Sequence, residues 1–266
     1  MLQTGHSPYK VTTPSGQTKL MIMERGGGFP AAFALMATIA PHKVAIRLSG
    51  GCKGMGPEDK TAMLAYFAAA FAGYKGMVWS GATRQFTKDG GLDPMVTDVP
   101  GVIAAANPEC IALGSAPRTD ILRLVEESRL VLDNYGTGPN PSMSGILLVQ
   151  NGADGASDWD GDLDAAFTLM ENLTGYAAFT RMGVVAWNGG PITRDEVMRS
   201  ASRGWPTIVI RGSGRAADEI ASQLDANDPA LMDKLPKNHN LIIAHRSDPA
   251  TLRIALQTFG FLPQAS

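Results

Sequence analysis

The chain has 266 residues, of which 44% are hydrophobic and 18% charged, and its formal net charge is −2. This length suits one large α/β domain, and the charge provides no overall attraction to nucleic acid or to an anionic membrane. Its two cysteines cannot form a disulfide framework, and no apolar run is long enough to span a bilayer. We therefore expect a soluble, cytoplasmic protein.

The first half of the chain alternates short β-branched runs with helical stretches. The predicted elements are, in chain order, an added strand or hairpin within 8–30, a strand at 43–48, a helix from Pro57 to about Ala72, a strand at 76–79, a loop at 85–108 and a strand at 110–114. Proline with acidic neighbours in the first turn is typical of a helix start, and Gly/Pro/Asn-rich stretches favour loops.

The second half continues this alternation. It comprises a loop at 133–144, a strand at 145–152, a helix from about Asp162 to Thr180, a strand at 183–190, a helix from Pro191 to about Ser202, a strand at 207–212, a helix to about Leu224, a strand at 240–246 and a last helix, capped by Ser247, to near Gly260. Strands that are apolar on both faces and lead into helices predict a Rossmann-like, doubly wound, mainly parallel sheet with helices on both faces.

Several of the predicted strands end in glycine-rich turns. The glycines are Gly50 and Gly51, Gly81, Gly189 and Gly190, and Gly212 with Gly214, and the basic residues in or beside the turns are Lys53, Arg84, Arg211 and Arg215. Ligands of open α/β sheets bind outside the carboxyl ends of the strands, where glycine allows close approach and a helix N-terminus favours phosphate. The turns therefore predict an anion site, with simple tight turns and solvated surface charges as the alternative.

Neither a redox cofactor nor a metal is predicted. The segment GSGRAA (212–217) has the spacing of a dinucleotide fingerprint, but the next strand ends in His245 and Arg246 where an acid for the ribose is required. Lys53 is in the wrong register for a Walker loop. The acidic loop at 154–164 lacks the calcium-binding pattern, and the four histidines show no zinc spacing.

Four segments at the ends of predicted strands carry a family resemblance. They are GSGRAAD (212–218), VVAWNGGPIT (184–193), GMVWSGAT (76–83) and LLVQNG (147–152). Together they resemble the SLOG superfamily, in particular the branch found at the N-terminus of melastatin-type TRP channels and in prokaryotic relatives. The resemblance implies one SLOG-like domain over 1–266, with a core at about 43–224, an N-terminal extension at 1–40 and a C-terminal strand–helix unit at 240–260.

The resemblance implies a domain that binds and senses nucleotide-derived ligands such as ADP-ribose and its cyclic forms, with no cofactor. The expected ligand-binding residues are Gly50, Gly51, Lys53, Ser80, Gly81, Thr83, Arg84, Gly189, Gly190, Thr193, Gly212, Ser213, Gly214 and Arg215. A sensor needs an effector, so we expect a separately encoded partner protein and a homo-oligomer, without nucleic acid or membrane. Asp218 is expected to cap local N–H groups, with a ribose hydroxyl as its alternative partner.

The alternative function is enzymatic. Residues 189–196, GGPITRDE, resemble the phosphoribohydrolase motif P-G-G-x-G-T-x-x-E, in which the glutamate assists cleavage of an N-glycosidic bond. Under this alternative, Glu196 is the catalytic residue of a nucleotide N-glycosidase. Asn188 replaces the motif's proline and Ile192 its third glycine, and a β-branched residue resists positive φ and leaves little room for phosphate. These departures favour the sensor, with Glu196 on a helix surface.

Overall fold

The computed structural model describes residues 10–13, 16–24, 43–87, 91–117, 137–140, 142–150, 163, 167, 170 and 180–264. The strands are β1 Lys10–Thr13, β2 Gly16–Glu24, β3 Val44–Gly51, β4 Met77–Gly81, β5 Thr83–Phe86, β6 Leu92–Asp93, β7 Ile111–Pro117, β8 Thr137–Pro139, β9 Gly145–Gln150, β10 Arg181–Asn188, β11 Thr207–Arg211 and β12 Leu241–His245. The α-helices are α1 Pro57–Ala70, α2 Val99–Ala106, α3 Pro191–Ser202, α4 Arg215–Asp225, α5 Pro229–Met232 and α6 Pro249–Thr258, and a 3₁₀ turn spans Val96–Asp98.

In the described part of the chain, nine strands form one sheet in the order β1-β2-β9-β7-β4-β3-β10-β11-β12. Neighbouring strands are parallel throughout, except that β1 and β2 form an antiparallel hairpin at one edge. Strands β6, β5 and β8 form a small antiparallel sheet. This topology confirms the predicted Rossmann-like, mainly parallel sheet with an added N-terminal hairpin.

Both faces of the large sheet are covered by helices. Successive side chains of a strand point to opposite faces, so one strand can contribute to the core on each side. In β10, Val185 and Trp187 belong to the core beneath α1, α2 and α6, whereas Ala186 packs against α3 and α4. The Trp187 ring lies 5.5 Å from the ring of Phe67 in α1. These two apolar layers hold β3 and β10 at the centre of the sheet.

The direction of the winding reverses between β3 and β10. From β3 the sheet continues through β4, β7 and β9 on one side, and from β10 it continues through β11 and β12 on the other. At the carboxyl ends of the central pair, Gly50 is in register with Trp187 and Gly51 with Asn188. Ligands of such sheets bind in the crevice outside the strand ends at this reversal. A ligand site is therefore expected at the carboxyl ends of β3 and β10.

The predicted loop at 85–108 is wrong, because this stretch contains β6, the 3₁₀ turn and α2. Pro100 lies in the first turn of α2, where its missing N–H costs nothing. Val99 and Ile103 are fully buried in the core against the sheet. The helix is only two turns long, so tertiary burial rather than a sustained amphipathic pattern stabilises it.

The start of α6 lies one residue later than the sequence predicts. The cap of α6 is Asp248 rather than Ser247, since the Asp248 carboxylate accepts a hydrogen bond from Ala250 N at 2.9 Å. Of the predicted helix at 162–180, Leu163, Phe167 and Met170 are helical, and its other residues up to 179 lie outside the described part, as does much of the extension at 1–40. None of the described helices is long and apolar enough to cross a membrane.

Candidate functional site

A cavity of about 280 Å³ opens at the carboxyl ends of β3 and β10. Of the residues that the sequence assigns to a ligand site, it is lined by Gly50, Gly51, Gly81, Thr83, Gly189, Gly190, Thr193 and Arg215, together with Glu196. The glycine turns of β3, β4 and β10 therefore meet at one crevice, as the parallel arrangement of their strands requires.

The turn after β10 brings the start of α3 against the crevice. Gly189 has φ +81°, and a Cβ at this position would overlap the side chain of Thr193, so the turn requires glycine. Thr193 is 3% exposed. Helix α3 begins at Pro191 with Gly190 as a cap that has no side chain to donate or accept. The unpaired N–H groups and the partial positive charge of this helix end therefore adjoin the crevice.

Arg215 supplies positive charge at the rim of the crevice. It is exposed, begins α4 and has φ +43°, which is uncommon for a residue other than glycine. Its Nη2 lies 2.9 Å from where a Cβ on Gly190 would stand, so the guanidinium covers the β10 turn. Within the described residues this side chain makes no ion pair or hydrogen bond, which leaves its N–H donors available to a ligand.

The inner wall of the crevice holds a buried ion pair between Arg47 of β3 and Glu196 of α3. Arg47 Nε and Nη2 lie 2.6 Å and 2.5 Å from Glu196 Oε1, and the Ser49 hydroxyl donates to Oε2. Glu196 is 3% and Arg47 6% exposed. Burial raises the pKa of the Glu196 carboxyl, and the Arg47 guanidinium opposes that rise. The expected surface position of Glu196 is therefore wrong: it faces the sheet and lines the cavity.

The turn after β11 contacts the end of β10 next to the crevice. Ser213 Oγ accepts a hydrogen bond from Asn188 N at 2.8 Å and donates to Ile210 O at 2.6 Å. Gly212 N donates to Asp218 Oδ1 at 2.6 Å, which is the capping role expected of Asp218. Gly212, Ser213 and Gly214 do not line the cavity, so their contacts position Arg215 and the end of β10.

Three further residues assigned to the site by sequence do not line the cavity. Lys53 is exposed in the turn after β3, and its carbonyl accepts from Asn188 Nδ2 at 3.4 Å. The buried Ser80 hydroxyl donates to Gly81 O at 3.0 Å. Arg84 donates through Nε to Asp98 Oδ1 at 2.8 Å and through Nη2 to the Ser142 hydroxyl at 2.8 Å. The Arg84 charge is therefore paired with the buried Asp98 carboxylate.

Part of the cavity lining was not predicted from the sequence. The cavity also touches Arg47, Leu48, Ser49, Val96, Thr97 and Leu163, besides Pro191 and Ile192 at the start of α3. A signal for Arg47 and Ser49 is present in the segment KVAIRLSGG, where polar residues interrupt an apolar strand at alternate positions. Val96, Thr97 and Leu163 give no such signal, because they approach the crevice from outside the central strands.

No metal site is found among the described residues, which contain no group of three or more histidine, cysteine, aspartate or glutamate side chains arranged to hold an ion. The acidic loop at 154–164 lies outside the described residues except for Leu163. Both cysteines are buried, and burial raises the pKa of the Cys52 thiol to about 11. A thiol with this pKa is protonated at neutral pH and is a poor nucleophile.

The topology and the position of the crevice define a Rossmann-like α/β domain with its candidate site at the switch point of the sheet. The family model described as "LSDAT_prok: SLOG in TRPM, prokaryote" matches residues 44–251. The chain belongs to this SLOG family, which confirms the resemblance found in the sequence. The matched region includes every residue that lines the cavity and continues through β12.

Among solved structures, the chain is similar to the X-ray structure of TM1055, a target of the Northeast Structural Genomics Consortium. The two are 19% identical, the alignment covers 82% of this chain and 99% of that one, and the TM-score is 0.47. Among curated proteins, no significant match to the chain is found.

Proposed function

We propose that the chain binds a phosphate-bearing, nucleotide-derived ligand, such as ADP-ribose or cyclic ADP-ribose, in the switch-point crevice and acts as a sensor of it. The observation that carries the proposal is the guanidinium of Arg215, which lies over the β10 turn without an acidic partner among the described residues. Membership of a SLOG family described as occurring in TRPM proteins supports the ligand class.

The chemistry around Arg215 suits a phosphate. An arginine fork binds two phosphate oxygens at once, and the uncapped start of α3 adds N–H groups and a partial positive charge. The whole chain has a net charge of −2, so attraction of an anion depends on this local arrangement. The apolar side chains of Leu48, Val96 and Leu163 line the same cavity and suit the faces of a sugar or base.

Arg215→Ala is expected to weaken binding of ADP-ribose by about tenfold to hundredfold. This corresponds to the loss of about 1.5–3 kcal/mol, the usual contribution of a hydrogen bond to a charged group. Arg215→Lys should recover only part of the affinity, because an ammonium cannot reproduce the two-pronged contact. Isothermal titration calorimetry against ADP-ribose, cyclic ADP-ribose, NAD and AMP measures these affinities.

The matched control is Arg253→Ala. Arg253 is a helical arginine of α6, donates to Ala72 O at 2.7 Å and does not line the cavity, so its removal should leave ligand affinity unchanged. If none of the four ligands binds at millimolar concentration, the proposal is contradicted. A lower melting temperature with unchanged affinity in Arg215→Ala would show instead that this residue is structural.

We propose that the sensor acts in the cytoplasm as a homo-oligomer and signals to a separately encoded effector protein. The charge balance of the chain gives no support for nucleic acid or membrane as partners. Size-exclusion chromatography with light scattering, with and without ADP-ribose, tests whether the ligand changes the oligomer.

Nucleotide N-glycosidase activity is the second candidate, and the burial of Glu196 in the crevice is the observation that favours it. A carboxyl whose pKa is raised by burial is suited to protonating a leaving base. Both Glu196 oxygens are, however, already bonded to Arg47 and Ser49, and this ranks the enzyme below the sensor. Chromatography of AMP and NAD after incubation should show no free base. Base release that disappears in Glu196→Gln would reverse the ranking.

A further inference from the structure

The ion pair in the inner wall of the crevice leaves one strong donor unused. Arg47 offers five N–H groups: its Nε donates to Glu196 Oε1, and its Nη2 lies 2.5 Å from the same oxygen. Its Nη1 is buried and has no hydrogen-bond partner among the described residues. A buried donor without a partner costs free energy, so such a group calls for an acceptor supplied from elsewhere. Arg47 lines the cavity, which is where that acceptor can be supplied.

The charge around Nη1 determines what kind of acceptor fits. Arg47 and Glu196 neutralise one another, so this wall has no net charge to attract a phosphate. Glu196 Oε2 accepts one hydrogen bond, from Ser49, and therefore retains capacity to accept another from an O–H group. A donor beside an acceptor complements a hydroxyl group, which is itself both acceptor and donor. A pyrophosphate link, which is an anion, or a base carbonyl offers no O–H and matches the wall less well.

We infer that Arg47 is a ligand-binding residue whose Nη1 donates to a sugar hydroxyl oxygen, while the phosphate of the same ligand lies at Arg215. This inference rests on the proposed function and refines it, since it defines the ligand as a sugar phosphate or nucleotide held sugar-inward. Glu196 acts through Arg47 as a positioning residue, because its Oε1 fixes the plane of the guanidinium. Ser49 in turn fixes Glu196 through Oε2.

The test compares ribose 5-phosphate with inorganic phosphate, because the sugar is the main difference between these two probes. Both are titrated by calorimetry into the full chain as wild type, Arg47→Lys and Arg215→Ala, alongside ADP-ribose. Lysine keeps a positive charge for Glu196 but loses Nη1. We expect wild type to bind ribose 5-phosphate at least tenfold more tightly than phosphate. Arg47→Lys should abolish most of this difference and leave phosphate binding intact, whereas Arg215→Ala should weaken both probes.

Three results would overturn the inference. The first is a wild type that binds ADP-ribose but does not prefer ribose 5-phosphate to phosphate. The second is an Arg47→Lys variant that keeps the wild-type preference. The third is an Arg47→Lys variant that loses phosphate binding as Arg215→Ala does, which would make Arg47 an anion contact. Failure of wild type to bind any nucleotide is a different result and refutes the proposed function itself.

A second variant keeps the test decisive if Arg47→Lys does not fold. The double variant Arg47→Met/Glu196→Gln removes both charges together and so leaves no buried ion unpaired. It keeps an acceptor for the Ser49 hydroxyl. We expect it to bind phosphate as wild type does and to lose the tenfold preference for ribose 5-phosphate. Retention of that preference by the double variant contradicts the inference.

Discussion

Gly50→Ala is expected to lower the free energy of unfolding by about 3 kcal/mol and the melting temperature by roughly 6–12 °C. A Cβ on Gly50 would overlap the carbonyl oxygen of Trp187, the residue opposite it in β10. Neither partner can move freely, because both belong to the central strand pair and the Trp187 ring is packed in the core. Thermal unfolding followed by circular dichroism measures the change. The distorted turn should also bind ADP-ribose more weakly than wild type.

Gly51→Ala is the matched control, because Gly51 follows directly in the same turn and lines the same cavity. The nearest atom to a Cβ on Gly51 is the Cα of Gly189 at 3.9 Å, an ordinary contact. The control should therefore change the free energy of unfolding by less than about 1 kcal/mol. Equal destabilisation by the two substitutions would show that the turn, rather than the approach of Gly50 to Trp187, accounts for the sensitivity.

The sheet and its crevice could be predicted because their signals are local. Each central strand is a short apolar run, and Gly50 and Gly189 mark where two of them end. Parallel strands place such ends on one edge of a sheet, so the turns after β3 and β10 locate the crevice. Arg215 followed from the same pattern, since it stands at the first position of the helix after β11.

The inner wall could not be predicted because its partners are distant in the chain. Arg47 and Glu196 are separated by 149 positions and meet only when α3 packs across β3. The departures from the phosphoribohydrolase motif at Asn188 and Ile192 favour a surface position for Glu196, and they carry no information about Arg47. The turn after β11 was assigned to the site because its motif is specific, but it does not line the cavity. The Ser213 hydroxyl instead accepts a hydrogen bond from Asn188 N. A local pattern does not show which neighbour will use a polar group.

Arg47→Met is expected to cost about 3–5 kcal/mol of unfolding free energy at neutral pH, because it leaves the Glu196 carboxylate buried without its partner. Burial already raises the pKa of Glu196, and loss of the Arg47 charge, which lowers that pKa, should raise it further. A carboxyl with a folded-state pKa above its unfolded value of about 4.3 is protonated preferentially in the folded protein. The penalty is therefore complete above the folded-state pKa and diminishes as the pH falls through it.

Melting temperatures of wild type and Arg47→Met, measured from pH 8 to pH 5, should converge as the pH decreases. Subtracting the wild-type curve removes most of the contribution of other titrating groups. Arg47→Met/Glu196→Gln has no ionised carboxylate at this place, so its difference from wild type should not shrink as that of the single variant does, and it should be more stable than Arg47→Met at pH 8. A single variant whose deficit is the same at pH 8 and pH 5 would mean that lost packing of the arginine stem, rather than an uncompensated charge, destabilises the protein.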